Sequence, residues 1–597
     1  MDTILNKRAI KGGEFLIRET EAHEVFIPEE FTEEQRMMAD VCQEFIDTEI
    51  TPHIEEIDKL KEGVMEGLVT KAGELGLLGI TIPEEYEGLE MNFNTSMLIS
   101  DVVGSAGSFS TAYGAHTGIG TLPIVYYGNE EQKQKYLPKL ATGEWKACYC
   151  LTEPDAGSDA NSGKTKAVLN EAGTHYMITG QKMWISNAGF AHVFIVFAKI
   201  EDDKNLTAFI IEKDFGGITL NDEEKKLGIK GSSTRQVFFT DCPVPVENML
   251  STRGNGFKIA VNILNIGRIK LGVGVLGGCR SVINHAVNYA NERKQFGVPI
   301  SSFGAIKYKL AEMATRTYAC ESAAYRAGQD IEDKIKDLQA NGMDTVQAKL
   351  KGVEQFAIEC AIIKVHGSEA LDYCVDEGLQ VYGGMGFSAD APMERAYRDA
   401  RITRIYEGTN EINRMLLVGM VLRRAMKGQL NVMGPAMAVG KELMSMPKFG
   451  PTPTGTFGKA KKTLVNLKKA ILMVAGKFVE TFGMKAREEQ EVMMNIADMM
   501  IEVYIAESTI LRTEKLMSIK GEEACTQQIN MANLYLYNAV DKLTSAAKEA
   551  IGSFATGDVQ RVLLMGLKRF TKTELINSKK LHRDIADAMI ERGEYIF

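Results

Sequence analysis

What this chain lacks narrows it first. Only nine cysteines occur in 597 residues, an odd number in which Cys148 and Cys150 are the one close pair. That count excludes a disulfide framework, and without a second Cys/His pair nearby the CxC spacing does not build a structural zinc site. Buried, reduced thiols are expected instead. The eight histidines show neither HxxxH nor HxH spacing, so no metal ligand set is visible. Long apolar runs are missing as well, because the stretches at 193–198 and 471–475 fall far short of the roughly 18 residues of a membrane-spanning helix. Basic residues are not in excess. With 69 Lys and Arg against 79 Asp and Glu the formal charge is −10, which excludes a general nucleic-acid binder. The start of the chain has no apolar core for a signal peptide, and Asp2, Glu14 and Glu19 do not suit a transit peptide. A bacterial cytoplasmic chain, or a mature organellar one, is the expectation.

With 45% hydrophobic and 25% charged residues, the chain has the balance of a folded protein of about four domains. After an N-terminal arm (1–30), the pattern over 31–146 is helical and opens at Thr32, whose side chain is expected to cap a helix with Gln35 three residues on. Over 147–255 the texture changes to short β-branched and aromatic runs split by Gly, Asp, Asn and Pro, which reads as a β domain. Helical periodicity returns over 256–426. A linker follows at 427–458, marked by Pro435, Pro447, Pro451 and Pro453, and then a Met-rich helical extension at 459–597. The fold class expected is α+β.

Gly272 to Gly277 match GxGxxG, but no strand precedes them. A dinucleotide turn needs strand, loop and helix, so these glycines read as small residues that let helices pack closely.

Two stretches carry chemistry. One is YCLTEPDAGSD at 149–159, followed by GQKMWISNAG at 180–189; small residues and hydroxyls at a strand end, then a tryptophan and a serine, suit a flat heterocycle held by stacking and hydrogen bonds. The other is QVYGGMGF at 380–387, followed by RDARITRIYEGTNEINR at 398–414, a glycine-rich turn that admits a pyrophosphate and then a glutamate beside a glycine near a helix start.

Over about 30–425 these motifs, in this order, resemble the acyl-CoA dehydrogenase family, and the length and extension resemble its very-long-chain branch. The resemblance implies an N-terminal helical domain, a middle β domain and a C-terminal four-helix bundle with FAD between the last two. It also implies the reaction, in which a carboxylate takes the α-proton of an acyl-CoA and flavin N5 takes the β-hydride, giving the trans-2-enoyl-CoA. Glu407, in Tyr406-Glu407-Gly408, is the implied base, and Gly267 stands where some relatives carry theirs. A glutamate needs a dry apolar pocket to raise its pKa for that task.

For FAD the resemblance implies Tyr149, Leu151, Thr152, Gly157 and Ser158 on the near side, with Trp184, Ile185 and Ser186 as wall and N5 edge. Arg293, Gln295, Phe296, Gln380, Gly383 and Gly384 match positions that reach the partner subunit's FAD, and Thr409 and Glu411 the adenosine side. Ser158, Asn265, Arg268, Tyr406 and Gly408 are implied at the substrate, while small Thr111, Gly114 and Ala115 imply a deep acyl tunnel. Two departures from the family pattern are Asp390-Ala-Pro392 and Asp155, whose charge either tunes the flavin or faces solvent.

In the extension, Leu464, Leu467, Ile471, Val474 and Phe478 form an apolar stripe flanked by lysines. This basic helix, around 459–485, is either a bundle helix or a peripheral contact with an anionic membrane face. The resemblance also implies a homodimer, with the extension standing in for the second dimer of tetrameric relatives, and electron-transfer flavoprotein as acceptor. An oxygen-using acyl-CoA oxidase and a non-catalytic assembly scaffold are the alternatives, separated by oxygen consumption and by partners that persist after Glu407→Gln.

Overall fold

The structure, a computed structural model, describes residues 10–445 and 454–597. The helix, sheet, helix order holds. Glu33–Phe45 opens the first helical unit, and Thr32 accepts from the Gln35 N–H while Gln35 returns to the Thr32 N–H, the reciprocal cap expected there.

An eight-stranded sheet follows, in the order Ile218–Leu220, Thr234–Pro245, His175–Ser186, Lys166–Leu169, Val193–Ile200, Thr207–Glu212 and Met249–Leu250, with Ala147–Cys150 added in parallel to Val193–Ile200. The unbroken apolar run of Val193–Ile200 has a simple cause. Side chains alternate along a strand, so Val193, Ile195 and Phe197 enter the core shared with the helices while Phe194, Val196 and Ala198 fill the core of the β unit itself. Cys148 and Cys150 obey the same period; both point into the β core, with their sulfurs 3.9 Å apart and unbonded.

Four long helices build the bundle: Gly256–Glu292, Gly304–Ala340, Ala357–Tyr382 and Asn410–Met426. The GxGxxG glycines lie inside the first. A Cβ on Gly272 would sit 2.5 Å from the Ile363 carbonyl oxygen, and one on Gly277 would sit 2.3 Å from that of Asp101, so these positions allow backbone to meet backbone. One correction concerns membranes. Gly256–Glu292 is long and apolar enough to cross one, because polar residues cut its apolar runs short yet leave the mean hydropathy of an 18-residue window at 1.5; 61% of that window is buried inside the protein.

Five helices form the extension: Gly458–Phe482, Gln490–Lys520, Thr526–Phe554, Gly557–Phe570 and Ser578–Arg592. All five residues of the apolar stripe are buried, and Lys468 turns inward to Glu507 and the Arg18 carbonyl. Lys461, Lys469 and Lys477 pair with Glu514, Glu442 and Glu480. The stripe therefore belongs to the protein core, and this helix keeps no apolar face for the membrane contact considered above. Pro447, Pro451 and Pro453 of the expected linker lie outside the described residues, as do residues 1–9.

Candidate active site

Glu407 precedes the Asn410–Met426 helix, whose N-cap is Thr409. It is not a helix-start acid; that place belongs to Glu411, whose pKa is lowered first by backbone hydrogen bonding and then by Thr409. Glu407 has φ +58° and Gly408 φ +79°, two successive left-handed residues of which only the glycine adopts that shape readily. Such strain persists only where the surroundings hold it. Here Arg268 Nε donates to the Glu407 carbonyl at 3.2 Å, and Asn413 Nδ2 donates to the Gly408 and Thr409 carbonyls at 2.8 and 3.0 Å.

The bend aims the carboxyl at the Gly256–Glu292 helix, where a Cβ on Gly267 would lie 2.6 Å from Glu407 Oε2. Oε2 is buried and has no hydrogen-bond partner in the protein. Burial pushes the Glu407 pKa up to about 7, against the weaker pull of Arg268 and Lys364. Lys364 is itself buried, pushed down to about 8, and donates to Asn410 Oδ1 at 2.7 Å.

Glu407 lines a cavity of about 400 Å³. Tyr406, Thr111, Gly114, Ala115 and Ser186 share its wall, as does the π-helical turn Ala115–Gly120. Gly114 and Gly118 also line the cavity, and each has open space within 4 Å of where a Cβ would be. Arg268 is no surface cation. It is buried with Asn265, which accepts from Arg268 Nη1 at 2.8 Å, and the pair sits behind Glu407 rather than in the cavity wall.

On the sheet side, Tyr149 is buried with its hydroxyl unpartnered, and the nearby Glu407 adds to the burial that raises its pKa. Leu151 and Ile185 are buried, while Gly157 and Ser158 are exposed. The Met183 N–H donates to the Thr152 carbonyl at 2.9 Å, joining the two motif segments. At a register shift in His175–Ser186, Trp184 adopts φ +61° and leaves 53% of its surface exposed. Beneath them Lys182, fully buried, donates to Glu153 at 2.6 Å and to the Leu151 carbonyl at 3.3 Å, and Glu153 accepts the Thr165 N–H.

Four family models of acyl-CoA dehydrogenase match in chain order: the N-terminal domain at 32–144, the middle domain at 148–242, and C-terminal domains at 254–422 and 466–569. A probable acyl-CoA dehydrogenase of Bacillus subtilis is 44% identical over 98% of both chains. The chain belongs to the acyl-CoA dehydrogenase family. A crystal structure of a Bacillus anthracis acyl-CoA dehydrogenase complexed with FAD is likewise 44% identical, with a TM-score of 0.96 over 99% of this chain and 100% of that one. The human very long-chain specific enzyme is 39% identical over 67% of this chain and 57% of its own length.

Not every residue expected at the site of this acyl-CoA dehydrogenase family member reaches Glu407. Arg293, Gln295 and Phe296 follow the far end of the Gly256–Glu292 helix, whose last residue is 25 positions past Gly267, roughly 37 Å at 1.5 Å per residue. Gln380, Gly383 and Gly384 lie at that same end, where Tyr289 stacks on Tyr382 at 4.0 Å. Phe296 there is 94% exposed. Sequence reasoning gave no role to Lys364, Asn410, Asn413 or the Lys182–Glu153 pair. The signal was a buried-type position held by a polar residue: the two asparagines of GTNEINR fall at a helix start, and the lysine of GQKMW falls mid-strand.

Proposed function

We propose that this protein catalyses the FAD-dependent α,β-dehydrogenation of long-chain acyl-CoA to the trans-2-enoyl-CoA, with electrons passing to an electron-transfer flavoprotein. One observation carries the reading: Glu407 Oε2 is buried and unpartnered, and burial raises the carboxyl towards neutrality in the wall of a cavity lined by small residues. A group so placed takes a weakly acidic α-proton near pH 7, which an exposed glutamate does not. Arg268 and Asn413 hold the strained backbone that aims it. The backbone N–H of Glu407 is the donor we assign to the thioester oxygen, where it would stabilise developing enolate charge.

The residues fit FAD. The buried Tyr149 hydroxyl lacks a partner, Trp184 presents a broad face in a strained conformation, and Ser186 opens onto the cavity. We assign Tyr149, Leu151, Thr152, Gly157, Ser158, Trp184, Ile185 and Ser186 to the isoalloxazine end, and Thr409 and Glu411 to the adenosine side. FAD supplies the hydride acceptor when bound. The remoteness of Arg293, Gln295, Phe296, Gln380, Gly383 and Gly384 from Glu407 supports a homodimer in which they serve the partner's cofactor. Small Thr111, Gly114 and Ala115 support long acyl chains.

The test is anaerobic bleaching of the flavin by a panel of acyl-CoAs of rising length. Rapid bleaching by long chains, lost in Glu407→Gln, is the expected result. A flavin-loaded protein that no saturated acyl-CoA reduces overturns the reading.

A further inference from the structure

Lys270 is a cation with no stated task. It lies one turn past Gly267 on the Gly256–Glu292 helix, so it follows the residue that faces the Glu407 carboxyl along the same side. It lines the 400 Å³ cavity, and it also lines a second cavity of about 230 Å³, with Leu122 and Ile266 as the other shared wall residues. Among the described residues no hydrogen bond or ion pair engages it. Burial alone pushes its pKa down to about 8. The acids of the second cavity are already engaged: Glu332 accepts the Phe93 N–H at 3.1 Å and pairs with Lys336, and Glu90 pairs with Lys349 at 3.3 Å. Elsewhere in the main cavity wall, Arg395 has Asp58 at 3.7 Å.

The Lys270 side chain is half-buried and its ammonium in the cavity wall has no acceptor in the protein, so a methyl-ended alkyl chain drawn past it strips away its water without offering one. A carboxylate at the end of the chain supplies the missing partner in a low-dielectric setting, where a charge-assisted hydrogen bond is strongest. We propose that Lys270 is a specificity-determining residue that binds the terminus of acyl-CoA substrates carrying an ω-carboxylate, so that the cavity accepts dicarboxylic acyl thioesters. The proposal rests on the dehydrogenase reading above and deepens it. The carboxylate forms an ion pair only, and the chemistry at the α- and β-carbons is unchanged.

The experiment compares methyl-ended and ω-carboxyl acyl-CoAs of matched length on the FAD-loaded enzyme, wild type and Lys270→Met, by kcat/KM and anaerobic bleaching. In the wild type, at one chain length, the ω-carboxyl ester should be used at least as well as its methyl-ended counterpart. In Lys270→Met the ratio of the two kcat/KM values should shift against the ω-carboxyl ester by at least about tenfold, as expected for losing a hydrogen bond to a charged group. Rejection of every ω-carboxyl ester by the wild type overturns the proposal, and so does an unchanged ratio in the variant. Should Lys270→Met not fold, the wild-type comparison decides alone. If methyl-ended esters also fail to bleach the wild-type flavin, it is the dehydrogenase reading that falls.

Discussion

The bundle has two polar sides that differ in one respect. Towards the sheet and cavity, Glu407 Oε2 and the Tyr149 hydroxyl are buried without partners in the protein, and the half-buried Lys270 ammonium has none either. Towards the extension, buried charges are matched. Arg512 meets Glu321 at 2.6 Å and Glu29 at 2.9 Å, Arg326 meets Glu507 at 3.0 Å, and His582 meets Glu312 at 2.8 Å. Hydroxyls without partners occur on the extension side too, at Tyr504 and Tyr595, so the contrast lies in the charges: an orphaned carboxyl is tolerated where a ligand completes it, whereas structural charges must be completed by the chain itself.

The largest effects should separate these sides. Glu407→Gln is expected to lower the rate of flavin bleaching by about 10²- to 10⁴-fold, the usual contribution of a positioned base. The same change should stabilise the fold at neutral pH. The folded-state pKa of Glu407 lies above its unfolded value, so stability is fully present below the ordinary carboxylate range and is lost as pH rises through about 7. Removing that titration is worth on the order of 3 kcal/mol at pH 8, read as a higher Tm. Arg512→Met should do the reverse, destabilising by about 3–5 kcal/mol because Glu29 loses its guanidinium partner and Glu321 is left with Arg280 alone, while kcat per folded molecule stays as it was. If Glu407→Gln melts lower and Arg512→Met loses catalysis first, the division between the two sides is wrong.

Next comes the pH profile. Below about 7, kcat/KM should fall tenfold per pH unit as Glu407 takes up its proton, and the acid limb should vanish in Glu407→Gln along with the activity. A profile flat down to pH 5 would show a carboxylate that burial does not perturb in the loaded enzyme. A smaller effect tests the cavity. Gly114 has open space where a side chain would go and a helical φ of −66°, so Gly114→Leu should fold normally and cut kcat/KM for the longest acyl chains by at least tenfold relative to short ones. Equal losses at all lengths would move the acyl chain elsewhere.

The same contrast explains what the amino-acid sequence shows on reading. Local devices are legible: the Thr32 and Gln35 cap and the apolar runs that become strands depend on neighbours a few residues away, and the glycines at 272 and 277 read as packing positions even though the chain they meet, at Ile363 and Asp101, is far along the sequence. The family motif pointed to Glu407, but nothing in its spacing shows the left-handed backbone, because Arg268, 139 residues away, helps to hold it. The back of the bundle is least legible. Arg512 and Glu29 are 483 positions apart, and Lys468 reads as one lysine on a basic helix until the Arg18 carbonyl and Glu507 close around it. Pairing at such distances is a property of the assembled chain, which is why the sequence leaves a membrane face open beside the bundle helix.

The smallest effect concerns Asp155, whose charge departs from the family pattern beside the flavin motif. Its carboxylate is exposed and pairs with exposed Lys164 at 2.7 Å, which accounts for its lowered pKa. An exposed, paired charge is screened within about 8–10 Å at ordinary ionic strength. Water therefore completes it, as the chain completes Arg512 and a ligand is left to complete Glu407. Asp155→Asn should leave Tm, the flavin midpoint potential and kcat/KM where they are, at low and at high salt alike. A shift of the potential that grows as salt is removed would place Asp155 within electrostatic reach of the flavin and add a surface charge to the catalytic side.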